Sequence, residues 1–152
     1  MMFMKERYAF VIMVKEKWWL EFCRRRREGR IVQSYVQFGR APPKSASLLI
    51  FYVSKPVGGI CGYAEFVERR VGKAGELWEV YGEETVFDSS QEFFQFVKGR
   101  QEISFIRFKN LMEAVNPMPF GKICSFLGVK RLARRGFYVD KEVAEKIIEF
   151  LE

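Results

Sequence analysis

The sequence contains no histidine. That absence removes every Ser–His or Cys–His nucleophile pair, every His-based zinc site and every His general base. Any chemistry would rest on Lys, Glu, Asp, Tyr, Ser, Thr or Cys. Cysteine is scarce: Cys23, Cys61 and Cys124 are far apart and odd in number. They fit neither a disulfide framework nor a Cys-x-x-Cys metal site, and read as small buried hydrophobes. No metal or cofactor is expected. No apolar run approaches the roughly 20 residues that span a bilayer, so no membrane partner is expected either. Aspartate is limited to Asp88 and Asp140, and asparagine to Asn110 and Asn116, against heavy use of Glu, Lys and Arg. That balance suggests a heat-adapted cytoplasm.

What is present describes a globular chain. Apolar residues make up 49% of the sequence, sixteen of them Phe, enough to build a real core. At 152 residues, one domain spanning 1–152 is expected. The opening segment MMFMKERYAFVIMVKEKWW lacks a small-residue cleavage site, so it reads as a first core strand in a cytoplasmic protein. The formal net charge is +7 and favours polyanions, nucleic acid first among them. The oligomeric state is left open.

Hydrophobic period then divides the chain. Arg7–Lys15 is β-branched and aromatic, a buried strand. In the next stretch Trp18 with Phe22, and Trp19 with Cys23, are spaced for one side of a helix. Arg24 to Arg27 load its last turn and Gly29 ends it. Residues 38–47, FGRAPPKSAS, form a loop. Leu48–Val53 reads as a strand covered on both faces. The break KPVGG that follows has no Lys-Ser/Thr after its glycines, so it is a hairpin turn and not a phosphate loop. Gly58 and Gly59 are both expected to take positive φ there. A second strand runs from Ile60 to Glu68, where Gly62 suggests a bulge or a close approach by another backbone.

Two short helices come next, one carrying Leu77, Trp78 and Tyr81 and stopped by Gly82, the other capped by Ser89 with Glu92 and closed by Gly99. EISFIRFKNL alternates as a strand, with Ile103, Phe105 and Arg107 on one face and Ser104, Ile106 and Phe108 on the other. VNPMP reads as a turn before a short helix. RLARRGFYV supplies basic residues and a last strand, and Asp140 caps a closing helix buried through Val143, Ile147, Phe150 and Leu151.

The segments LLIFYVSKPVGGICGYAEFVE and LWEVYGEETVFDSSQEFFQFVKGR together resemble the PUA-like superfamily, the small barrels that include EVE, ASCH and YTH domains. RGFYVDKEVAEKIIEF is similar to the closing segment of an archaeal branch, and the resemblance runs from Arg7 to the C-terminus. It implies an α+β fold, a PUA-like β-barrel of five or six strands with flanking helices, and a cleft for RNA, DNA or a modified base. ASCH domains line that cleft with Gly-x-Lys-x-x-Glu-x-Arg. Here GRAPPKSAS supplies Gly39, Arg40 and Lys44 but lacks the Glu-x-Arg.

A nucleic-acid cleft needs cations for phosphate and flat side chains for an unpaired base. The candidates are Trp18, Trp19, Arg24, Arg26, Gly39, Arg40, Lys44, Lys55, Arg131, Arg134 and Arg135, with Lys130 beside the last cluster. These clusters are expected to bracket one groove that binds nucleic acid, RNA favoured over DNA, without chemistry. The rival is a Lys/Glu amidohydrolase or nuclease built on Lys44, Ser45 or Ser47, and Glu65. A third reading is a protein-interaction module that presents the same basic surface to acidic proteins.

Overall fold

The computed structural model describes residues 7–152. The start of the opening segment, residues 1–6, lies outside them. The chain runs β1 (Ala9–Val14), α1 (Glu16–Arg27), β2 (Val32–Phe38), β3 (Leu48–Val53), β4 (Gly59–Gly72) and α2 (Ala74–Tyr81). A short 3-10 turn at Gly82–Glu84 leads to α3 (Ser90–Phe96), β5 (Ile103–Pro119), α4 (Phe120–Leu127), β6 (Phe137–Val139) and α5 (Lys141–Leu151). The six strands form one mixed sheet in the order β2-β5-β4-β3-β1-β6. This is an α+β fold with helices flanking the sheet.

The expected barrel is rolled but not closed. β1 pairs with β3 and β6, β2 pairs only with β5, and no ladder joins β1 to β2. Four strand steps separate them in the order, about 19 Å in a flat sheet. Yet the Tyr35 hydroxyl on β2 donates to the Met13 carbonyl on β1 at 3.4 Å. The sheet therefore curls until its ends meet along a seam held by side chains. Inside the roll, α1 places Trp19 and Phe22 against Phe51 and Phe108.

Several local expectations hold. Asp140 accepts from the Val143 N–H at 2.9 Å and Ser89 from Glu92 at 3.2 Å, which caps α5 and α3. Ile103 and Phe105 pack under α2 and α3, while Ile106 and Phe108 face the interior of the roll. A side chain at Gly62 would collide with the Met112 carbonyl and the Trp19 ring, so that glycine marks a close approach. Cys23 and Cys124 are buried and Cys61 half-buried, all as free thiols.

Three expectations need correction. Of the hairpin glycines only Gly58 has positive φ, at 64°. Gly59 instead begins β4, where a Cβ would lie 2.7 Å from the Met118 carbonyl. VNPMP is not a turn: β5 continues through it to Pro119, opposite Gly59. The β2 ladder stops at Lys109, so beyond it β5 is an edge strand, where proline is tolerated. Residues 32–38, left unassigned above, form β2. Among its buried polar groups, the Gln33 amide donates to the Phe22 carbonyl at 2.9 Å while its Oε1 has no partner among the described residues, and Ser34 donates to Glu84 at 2.8 Å.

Candidate functional site

The seam holds a hollow of about 370 Å³. Ile12 and Met13 from β1, Gln37 and Phe38 from β2, the loop Gly39–Pro42, and Arg134 with Arg135 line it. β1 can take part because its pairing with β6 ends at Val11–Phe137, which leaves Ile12 and Met13 facing the gap.

One wall is built on Ser104, a fully buried residue near the start of β5. Its hydroxyl donates to the Gly39 carbonyl and accepts from the Ala41 N–H at 3.1 Å. The Gly39 N–H donates to the Glu102 carbonyl at 2.8 Å, and Arg69 donates to the Ala41 carbonyl at 3.2 Å. Gly39 turns the chain with φ of 67°, and the Pro42–Pro43 peptide is cis. These bonds tie down the loop that carries Arg40. The Arg40 guanidinium is exposed and bonds to Glu102 at 2.9 Å.

The other wall is the turn before β6. Gly136 donates to the Ala133 carbonyl at 3.1 Å and lies against β1, where a Cβ would meet the Phe10 ring at 2.6 Å. That packing brings Arg134 and Arg135, adjacent in the chain, to the seam. Neither has an ion-pair partner among the described residues. Among the described residues no carboxylate lines the hollow. A concave site with two uncompensated guanidiniums and a third on a tethered loop suits an anion.

The candidates from the sequence divide accordingly. Gly39, Arg40, Arg134 and Arg135 come together, while Lys44, Lys55 and Arg131 are exposed and outside this lining. The α1 arginines are committed within the fold. Arg24 binds Glu21 and Glu28, each at 2.8 Å, and its guanidinium is held still more firmly protonated by those bonds. Arg26 donates to the Leu111 carbonyl at 3.3 Å, and Arg27 pairs with Glu113. Arg25, only 7% exposed, reaches the Val86 carbonyl at 2.7 Å and Asp88 at 3.1 Å. The expected bracket of one groove by both basic clusters is therefore half formed: Arg134 and Arg135 of one cluster line it, while the other cluster braces α1.

Neither indole reaches the hollow. Trp19 is buried on Phe51 at 5.3 Å, and Trp18 packs on Phe87 and Phe96, each at 5.7 Å. The aromatic side chain at the site is Phe38, which the helical spacing of the tryptophans drew attention away from. Its signal was a bulky residue directly before the Gly39 turn. The Lys44–Ser–Glu65 set does not assemble as ion pairs. Glu65 accepts from the Asn110 side-chain amide and stands across from Lys109 in the ladder.

No protein-family model matches the chain, and no curated protein does either. Solved structures do. The crystal structure of ASCH from Zymomonas mobilis superposes with a TM-score of 0.75 at 18% identity, over 97% of this chain and 98% of that one. The chain has an ASCH fold. A serine-to-alanine variant of the Zymomonas ASCH protein gives 0.74 at 18% identity, over 98% of this chain and 100% of its own. A tyrosine-to-phenylalanine variant gives 0.73 at 17%, over 95% and 99%. The α+β architecture of a rolled sheet with flanking helices expected from the sequence thus agrees with these structural neighbours. In this ASCH fold the seam cleft is bounded by the GRAPPKSAS loop, the segment first compared with the ASCH motif.

Proposed function

We propose that the protein binds single-stranded nucleic acid in the seam cleft, RNA in preference to DNA, and performs no chemistry on it. The observation that carries this reading is the convergence of Arg40, Arg134 and Arg135 on one hollow that no carboxylate among the described residues lines. The volume, about 370 Å³, falls within the range of small-ligand pockets and suits one nucleotide of a strand. Gln37 in the lining can both donate and accept, as a ribose 2′-hydroxyl requires, which favours RNA. The net charge of +7 adds long-range attraction to the strand. Binding rather than catalysis is supported by the absence of histidine and by Glu65 bonding to Asn110 instead of a lysine. The same reading places the protein in the cytoplasm, and no helix among the described residues is long and apolar enough to cross a membrane.

The test is a salt titration with a short single-stranded RNA. Affinity should fall with a log–log slope of about 0.7 for each phosphate neutralised. Arg134→Ala with Arg135→Ala should weaken binding at least tenfold, about 1.4 kcal/mol, without lowering thermal stability. A lack of binding at low salt removes the reading. Unchanged affinity in the double variant moves the site elsewhere, and strand cleavage would replace binding with catalysis.

A further inference from the structure

Phosphate recognition by Arg134 and Arg135 leaves the base without an assigned place. We propose that Phe38 is the seat of one unpaired nucleobase and that Arg100 occupies that seat in the free protein. The inference deepens the proposed function and rests on it.

Phe38 is the last residue of β2, lines the seam cleft, and is 40% exposed despite its size. Its ring stacks on Phe96 at 5.1 Å with an interplanar angle of 28°. Phe96 is itself wedged against Trp18 at 5.7 Å and Phe87 at 5.1 Å. An aromatic column thus backs Phe38 and holds its plane fixed. The Arg100 guanidinium lies over the same ring, 4.1 Å from its centre. Arg100 has no ion-pair partner among the described residues.

Arg100 also lines a second, more open hollow of about 690 Å³ with Lys73, Gln101 and the carboxylates Glu76 and Glu102. The Phe38–Arg100 pair therefore stands at the boundary between the two hollows. A flat cation over an exposed phenyl ring marks a surface that accepts flat π-systems. An exposed cation–π contact is weaker than a base–aromatic stack, so exchange of the guanidinium for a base is favourable. The displaced Arg100 then swings toward the second hollow, where the Glu76 and Glu102 carboxylates can receive it.

The experiment compares a short single-stranded oligonucleotide with the same strand made abasic throughout. Wild type should bind the base-bearing strand about tenfold more tightly, within what one base stack contributes. Phe38→Leu should abolish that preference, so that the two strands bind alike. Phe38→Tyr, which keeps the flat face, should retain the preference. Arg134→Ala should weaken both strands alike. Equal wild-type affinity for the two strands, or a preference that survives Phe38→Leu, overturns the base seat while leaving cleft binding intact. Failure of wild type to bind either strand overturns both readings.

Discussion

Gly136 shapes the candidate site through the side chain it lacks. Its backbone has φ of 92°, and a Cβ would be driven into Phe10 and the Val11 carbonyl. Gly136→Ala should lower stability by about 1–3 kcal/mol, as overpacking does, and push Arg134 and Arg135 off the seam. Thermal unfolding read beside RNA affinity checks this, since unaltered affinity in a destabilised variant would uncouple the turn from the cleft. Cys23 carries a second residue-level consequence. Burial, then the neighbouring Glu113, pushes its thiol up to about 12. The folded state therefore keeps a proton that the unfolded chain releases near pH 9.0. The stabilisation is complete below that pH and is lost on rising toward 12, at about 1.4 kcal/mol per pH unit. Urea unfolding between about pH 8 and 11 should fall more steeply for wild type than for Cys23→Ala by that slope. Parallel curves would contradict the assignment.

At the scale of elements, α1 shows how a charge run separates once it is folded. Four consecutive arginines look equivalent in the sequence, but a helix turns each about 100° from the last. Arg24 stays on the surface with Glu21 and Glu28, while Arg25 is drawn under residues 86–88. Arg25→Ala should cost about 1–3 kcal/mol in denaturant unfolding, because it removes the donor to the part-buried Val86 carbonyl. Arg24→Ala should stay within about 0.5 kcal/mol, and neither change should alter RNA affinity. Comparable losses in stability from both, or weakened binding from either, would return α1 to the site.

The same scale separates what could be read in the sequence from what could not. β1, β3, α3 and α5 were legible because period and caps are written locally, as at Asp140 and Ser89. β2 was not, because Gln33 and Ser34 interrupt its apolar pattern and are buried only by virtue of partners on α1 and the 3-10 turn. The far half of β5 was hidden by Pro117 and Pro119, which signal a turn unless the neighbouring strand is known to have ended.

At the scale of the whole molecule, the question is whether net charge or local geometry governs binding. Lys141→Glu with Lys146→Glu on α5 removes as much positive charge as Arg134→Glu with Arg135→Glu. Lys146 is exposed in an i, i+4 pair with Glu142, and neither lysine lines the cleft. The α5 pair should shift RNA affinity less than about threefold near physiological salt, where long-range charge is largely screened. The seam pair should abolish measurable binding. Equal losses would assign the interaction to the field of the molecule rather than to a site.

Composition and pattern by themselves determined that this chain builds a mixed α+β core without histidine chemistry, that it carries excess positive charge, and which segments form most of its elements. Those properties depend on neighbours in the chain, which sequence displays. Only the tertiary structure decided which cations remain available, because Arg24 to Arg27 and Arg134 to Arg135 differ in the carboxylates and carbonyls that folding sets beside them. It also decided that Phe38, rather than a tryptophan, stands at the opening. The physical reason is the roll of the sheet, which brings residues 12–13, 37–42 and 134–135 together at one seam.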